Sequence, residues 1–284
     1  MAVGEPNIAG GRVDLHVHSI YSDGTQTPAE ILALAEERGV ALLAIADHDL
    51  LTGSEELARL SAASPVKCIP AVELTACEGG TCLHVLAYGY RFGDSEFAAF
   101  VADGRRRLDE MSDRLIEVME RAGERVSVAE YGAFEHDHRL GGWKALHYLV
   151  EKGITSTPLD GARLYPMYGV GYDTAGFPTV AETCRAIHRA GGIAVLAHPG
   201  VTFGTLDGPV FEAKLRALVE QGIDGIECYY PRHDEATVAR YLALCDELGL
   251  YVTCGSDSHG SFTGAALGCL PVTAGDIHLP QCYN

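Results

Sequence analysis

From Val13 to Asp23 apolar and polar side chains alternate, with Asp14, His16 and His18 on one set of positions and Val13, Leu15 and Val17 on the other. Successive side chains of a strand point to opposite faces, so this spacing predicts a strand that presents its polar set to one spot. Asp23 follows in the next loop. Residues 41–46 form a second short apolar run, and it ends at Asp47-His48-Asp49. Runs over 67–73, 82–89, 193–197, 225–229 and 250–254 predict further strands. Glu73 closes the first of these and His84 lies within the second. His198-Pro199-Gly200 follows 193–197, and Gly255-Ser256-Asp257-Ser258-His259 follows 250–254.

Helical signals fill the gaps between these runs. Thr27, Pro28 and Glu30 give an N-cap, a proline at the first helical position and a capping-box acid, so a helix is expected over about 28–38, ended by Gly39. Thr179 and Glu182 repeat the pattern before a helix over 180–190. Helices are also expected over 55–63, 209–220 and 234–247. Strand, polar loop, helix and strand in alternation read as a parallel α/β fold, and polar clusters at strand C-termini match the active-site end of a parallel barrel.

Between about Phe92 and Leu164 the pattern changes to helical spacing in a charged background, as at Leu108, Met111, Leu115, Val118 and Met119. Residues 165–178, rich in Gly, Pro and Tyr, read as a return loop. The expected division is therefore a barrel from 1–91 and 179–284, with 92–178 as a helical insertion or cap. Arg105, Arg106 and Arg107 offer a basic run there, which on an amphipathic helix more often faces solvent than a ligand.

Composition narrows the partners. With 284 residues, 47% of them hydrophobic, the chain can bury a barrel-sized core. Lys and Arg number 21 against 39 Asp and Glu, a net charge of −18 that disfavours long nucleic acid and anionic membranes. A small phosphorylated ligand held by bound cations remains compatible with it. Nine cysteines form no Cys-x-x-Cys, and Cys68, Cys228 and Cys254 sit inside apolar runs as small core side chains. Neither a leader-like stretch in residues 1–11 nor an apolar run of membrane-spanning length occurs, so a reducing, cytoplasmic setting is expected.

The candidate ligands are His16, His18, Asp23, His48, Glu73, His84, His198, Asp257 and His259. Nitrogen and carboxylate donors without thiolate suit manganese, iron or zinc, and nine donors exceed what one ion needs. Two or three divalent ions are expected, with Glu73 or Asp257 able to bridge. Each residue has a plainer use: His84 as a hydrogen-bonded core histidine, Asp257 as a turn cap.

Together, Asp14-Leu15-His16-Val17-His18, Asp23, Asp47-His48-Asp49, Glu73, Ala197-His198-Pro199-Gly200 and Gly255-Ser256-Asp257-Ser258-His259 resemble the polymerase and histidinol phosphatase (PHP) family of metal-dependent phosphoesterases. The resemblance spans about residues 12–265. It implies a distorted (β/α)7 TIM-like barrel with a helical insertion and up to three ions. By that likeness His16, His18, Glu73 and Asp257 hold one ion, Glu73, His198 and His84 a second, and Asp23, His48 and His259 a third. Asp257 and His198 are the candidates for a side-chain base.

Close relatives carry Arg-Pro-His in the insertion where this chain has Gly142, Trp143 and Lys144, and the Gly169-Val170-Gly171-Tyr172 stretch lacks the family's lysine. Lys144, Arg163 and Arg232 are the candidates to hold substrate phosphate instead. The expected activity is hydrolysis of a small phosphorylated sugar or nucleotide, with a cyclic ribose phosphate phosphodiester of the 5-phosphoribosyl 1,2-cyclic phosphate type in front. A nucleoside 3',5'-bisphosphate or the 5' end of a short oligoribonucleotide is the alternative, and histidinol phosphate ranks lower. A non-catalytic metal-bound module is a different class of reading, set against the retention of every candidate ligand. Amide hydrolysis is a third, and no lysine suited to bridge ions as a carbamate stands at a strand end.

Overall fold

A computed structural model of the chain describes residues 10–204, 206 and 208–280. The leaderless reading of residues 1–11 therefore falls mostly outside the described residues. The first stretch holds β1 (Arg12–Val17), α1 (Pro28–Glu37), β2 (Val40–Ile45), α2 (Thr52–Ser61), β3 (Lys67–Cys68), β4 (Ala71–Glu78) and β5 (Thr81–Tyr88). The middle is helical, with α3 (Ser95–Arg121), α4 (Val128–Ala133), α5 (Lys144–Glu151), α6 (Pro158–Gly161) and α7 (Leu164–Met167). Alternation then resumes with α8 (Val180–Arg189), β6 (Ile193–Leu196), α9 (Pro199–Phe203), α10 (Gly208–Glu220), β7 (Gly225–Tyr229), α11 (Glu235–Leu248) and β8 (Tyr251–Cys254).

Both expected capping boxes form. Thr27 accepts from the Glu30 amide while the Glu30 carboxylate accepts from the Thr27 amide, and Thr179 with Glu182 does the same at α8. Such caps each contribute about 1 kcal/mol by pairing amides that a helix start leaves open.

The strands make an α/β fold with two sheets, β1-β2-β3 and β4-β5-β6-β7-β8. β1, β2 and β3 are parallel, as are β6, β7 and β8, but β5 runs antiparallel to both β4 and β6. This corrects the expectation of purely parallel strands. Gly79 and Gly80, with φ of 56° and 79°, form a two-residue turn that sends the chain straight back, whereas a parallel neighbour needs a long crossover. The expected strand over 67–73 also divides, because Pro70 has no amide to donate and separates β3 from β4. Among the described residues no closed barrel forms. The two sheets meet instead through single bridges, Val17 with Ser258 and His48 with Glu73, at the end that carries the polar clusters.

Packing follows the same division. Val13, Leu15, Leu42 and Ala44 cluster with Leu86, Tyr88, Val195 and Cys254 between the two sheets. Phe97 and Val101, early in α3, pack with the core of the five-stranded sheet. Later in the same 27-residue helix Leu115, Ile116 and Met119 join Tyr131, Tyr148 and Leu149 in a separate cluster. The segment expected as a return loop contains α7 and a 3-10 turn over Tyr172–Thr174, and Pro178 accepts from the Cys77 amide.

Cys77 and Cys82 are joined by a disulfide, since they face one another across the β4–β5 hairpin. Cys228 and Cys254 are buried free thiols, as their apolar surroundings predict. No helix among the described residues is long and apolar enough to cross a membrane.

Candidate metal centre

β1 delivers His16 and His18 at positions two apart, both fully buried, and the loop behind it returns Asp23 to the same place. The β2 end supplies His48, and the β4–β5 hairpin supplies Glu73 and His84. His198 follows β6 as the residue before α9, and Asp257 and His259 follow β8. All nine candidate ligands converge, in overlapping groups whose donor atoms lie within 4.8 Å of one another.

Glu73 is the hub. Its Oε2 lies 3.2 Å from His16 Nε2, 3.4 Å from His18 Nε2 and 3.1 Å from His48 Nδ1. Its Oε1 lies 2.9 Å from both His84 Nδ1 and His198 Nε2. One carboxylate thus faces two sets of rings. Asp257 Oδ1 completes the first set at 3.2 Å from His18 Nε2 and 3.6 Å from His16 Nε2. Around Asp23 stand His259 Nε2 at 3.3 Å, His18 Nδ1 at 3.6 Å and His48 Nε2 at 3.8 Å.

Of these contacts the one between His198 Nε2 and Glu73 Oε1 is a hydrogen bond, and most of the others are not. His16 Nε2, both ring nitrogens of His18, Glu73 Oε2 and His84 Nδ1 are buried without a hydrogen-bond partner. Buried polar atoms are nearly always paired, because an unpaired one costs about 1–3 kcal/mol. Nitrogen and carboxylate donors left open toward shared space fit divalent ions of the manganese, iron or zinc kind.

Burial and charge sort the carboxylates into two classes. Burial raises the pKa of Asp14, Asp47 and Asp49, the last to about 7, and hydrogen bonds only partly offset it. Those three serve the scaffold: Asp14 accepts from the Ser256 and Gly268 amides, Asp47 from Ser19 and Ser22, and Asp49 from Thr75. Burial also works against the charge of Asp23, Glu73 and the partly exposed Asp257, yet neighbouring histidines outweigh desolvation and hold all three below the carboxylate range. The rings respond in kind. Burial depresses His48 to about 3, while at His259 Asp23 and Asp257 overcome burial and raise it to about 9. His16 and His84 are also raised, against burial, by Glu73 above all.

The support around the ligands was only partly visible in sequence. Glu227, fully buried in β7, accepts from the His198 amide at 2.8 Å and lies 3.0 Å from His16 Nδ1, which turns His16 Nε2 toward Glu73. An acid inside the apolar run Gly225-Ile226-Glu227-Cys228-Tyr229 was the available signal. Tyr230 Oη donates to Asp257 Oδ2 at 2.9 Å, leaving Oδ1 for the rings. At Gly255 a Cβ would stand 2.1 Å from that of His16, so only glycine lets β8 pass. Asp49, His198 and Asp257, with φ of 46°, 27° and 54°, are the non-glycine residues of positive φ among the described residues. Such backbone costs on the order of 1–3 kcal/mol each and tends to gather at working sites.

A cavity of about 520 Å³ opens over the centre, lined by His48, Glu73, His84, His198, Tyr230, Arg232, Asp257 and His259 among others. Of the basic candidates, Arg232 is the one that lines this cavity. Lys144 lines a neighbouring cavity of about 530 Å³ under α3, α4 and α5, with Nζ 4.6 Å from the Tyr131 ring centroid. Arg163 is exposed at the start of α7 and lines neither. Arg106 and Arg107 pair with Asp103, while Arg105 lines the Lys144 cavity, stacked on Trp143 and paired with Asp109. The Trp143 ring in turn lies 5.9 Å from that of His48.

Known proteins resemble the chain over most of its length. The PHP domain model matches residues 14–125. A phosphoribosyl 1,2-cyclic phosphate 1,2-diphosphodiesterase from Eggerthella lenta is 33% identical over 264 residues, covering 88% of this chain and 94% of the relative. A 3',5'-nucleoside bisphosphate phosphatase from Chromobacterium violaceum is 28% identical, over 89% of this chain and 88% of its own. A solved structure from Bifidobacterium adolescentis, described as a metal-dependent phosphoesterase, superposes with a TM-score of 0.75 at 25% identity over 93% of each chain. With its fold and its nearly full-length relatives in agreement, the chain belongs to the PHP family of metal-dependent phosphoesterases.

Proposed function

We propose that the chain hydrolyses a phosphoester of a small phosphorylated sugar or nucleotide, with a cyclic ribose phosphate phosphodiester as the leading substrate. The observation that carries this reading is the set of buried, unbonded donor atoms around Glu73. His16, His18, Glu73 and Asp257 would hold one divalent ion, Glu73, His84 and His198 a second, and Asp23, His48 and His259 a third. Ions bound there supply Lewis acidity toward phosphoryl oxygens and make water a stronger acid.

The chain's own groups do the rest. Glu227 fixes which nitrogen of His16 faces inward, and Tyr230 fixes which oxygen of Asp257 does so. Asp257 and His198 stand at the cavity wall, where a proton leaving an attacking water or reaching a leaving oxygen would pass. Arg232, which lines the same cavity, would steady substrate phosphate by charge-assisted hydrogen bonds. In this reading the two bridged sheets act as one distorted (β/α)7 barrel, and residues 92–178 act as a cap with its own apolar core.

The nucleoside 3',5'-bisphosphate reading is kept for one reason. Trp143 lies beside His48 and offers an aromatic face to a base, which a simple sugar phosphate would not use. A panel of phosphomonoesters, cyclic phosphodiesters and amides, assayed with manganese, tests the assignment. Turnover of cyclic ribose phosphate above the others is expected. Turnover confined to amides, or none at all in metal-loaded protein, would overturn it.

A further inference from the structure

The disulfide of the β4–β5 hairpin stands on the face that carries metal-ligand candidates. Side chains two apart on a strand share a face, so Glu73, Thr75 and Cys77 of β4 line up, as do Cys82, His84 and Leu86 of β5. The register pairs Glu73 with Leu86, Thr75 with His84 and Cys77 with Cys82. The bridged pair is therefore the rung next to the one that holds His84.

The hairpin does not need this bridge to close. Its Gly79-Gly80 turn and antiparallel ladder already set residues 77 and 82 opposite one another, and a link between cysteines 5 positions apart removes less freedom from the unfolded chain than a long-range one would. Its surroundings point to another use. Cys77 Sγ lies 3.5 Å from the Tyr172 carbonyl oxygen and the Cys77 amide donates to the Pro178 carbonyl, so the bridged rung touches the segment that returns from the insertion at two places. The Tyr172 ring then stands edge-on to His84, with centroids 6.5 Å apart.

His84 depends on that contact. Among the described residues nothing outside the ligand set orients it by a hydrogen bond, as Glu227 does His16; its Nδ1 meets Glu73, and its ring meets those of His48, His198 and Tyr172. Of these neighbours Tyr172 alone is not a candidate ligand. Both bridged cysteines are half-buried, whereas Cys184, Cys228, Cys245 and Cys254 are buried, so an attacking thiolate can reach the bridge.

We propose that Cys77 and Cys82 form a thiol-exchange site that tunes ion binding at the Glu73, His84 and His198 group, tight when bridged and weaker when reduced. This rests on the metal-centre reading and adds a control to it. The reductant is a dithiol: one of its thiolates attacks a bridge sulfur, the S–S bond breaks, and its second thiol resolves the mixed disulfide. The dithiol leaves as a disulfide, and two electrons and two protons pass to Cys77 and Cys82. Sulfurs no longer bonded stand farther apart, so the rung widens against the Tyr172 carbonyl. The Tyr172 turn shifts, and His84 loses the ring that steadies it.

Manganese titration of bridged and reduced protein tests the site, with the dithiol removed by desalting under argon before metal is added. Mass spectrometry of the wild type should find Cys77 and Cys82 closed to alkylation after equilibration in an oxidising thiol–disulfide buffer, and open after reduction. Reduction should weaken one manganese ion about tenfold, the low end of the range usual when the support of a ligating histidine is lost, and leave the others within about twofold. Cys77→Ser combined with Cys82→Ser should show the weaker value with or without the dithiol, which separates the bridge from the exposed Cys269. Should that double variant not fold, Cys77→Ala alone, which equally cannot bridge, takes its place. Equal isotherms in the two states of the wild type, a variant that binds as the bridged wild type does, or cysteines open to alkylation in the oxidising buffer would overturn the proposal alone. A wild type that takes up no manganese in either state would overturn the metal-centre reading, and the proposal with it.

Discussion

Around Glu73 the working side chains sit on strand ends and are fixed by buried backbone and carboxylates, whereas under α3, α4 and α5 they sit on helices and are fixed by one another. His16 is held by Glu227 inside β7, Asp257 by Tyr230, and Ser19 and Ser22 by Asp47. In the insertion Arg105 leans on Asp109 and Trp143, and Lys144 on Tyr131. The first kind of region leaves donor atoms open because the scaffold absorbs the cost. The second closes its charges internally, where partly exposed pairs contribute about 0–1 kcal/mol each.

The largest expected effect that sharpens this contrast is at the hub. Glu73→Gln keeps the shape but removes the charge that faces both sets of rings, so kcat/KM should fall on the order of 10³-fold, the equivalent of several kcal/mol. Steady-state kinetics at saturating manganese would measure it, and a loss under tenfold would deny Glu73 its central place.

Next comes pH. Without an ion, Asp23 and Asp257 hold the His259 ring protonated up to about pH 9. A metal must displace that proton, so affinity at the Asp23 group should rise with pH up to about 9 and fall about tenfold per unit below it, about a hundredfold from pH 8 to pH 6. His48, already neutral because burial holds it at about 3, adds no such dependence. Calorimetry in two buffers of different ionisation enthalpy should record proton release on loading. Loading without proton release would remove His259 from the ligand set.

Glu227→Gln should cost about 10–100-fold in metal affinity or activity, the usual range when the partner that orients a ligating histidine is changed. Equal activity would mean that the His16 ring needs no orienting group. Tyr230→Phe should cost less, about tenfold in kcat with an unchanged KM, since it frees one oxygen of Asp257 but leaves the carboxylate in place. A KM effect alone would make Tyr230 a substrate contact.

The same contrast explains what the sequence revealed. The nine candidate ligands that the structure brings together could be picked out because a period of two and an apolar run ending in a polar loop are local signals, and each lies in such a run or in the loop that follows it. The capping boxes at Thr27 and Thr179 were legible for the same reason. The direction of β5 was not read, although Gly79-Gly80 between two apolar runs is a hairpin signal. Glu227 passed as part of a strand because its role exists only once β1 and β6 are beside it. Arg105 could not be separated from Arg106 and Arg107 in sequence. Only assembly with Trp143 turns it inward.

The central claim is that these side chains hold more than one ion through a shared carboxylate. Elemental analysis of purified, manganese-loaded protein tests it most directly, with Asp23→Asn measured alongside. The account predicts two to three ions per chain in the wild type and one fewer in Asp23→Asn. Fewer than two ions in the wild type, or an unchanged count in the variant, would contradict it.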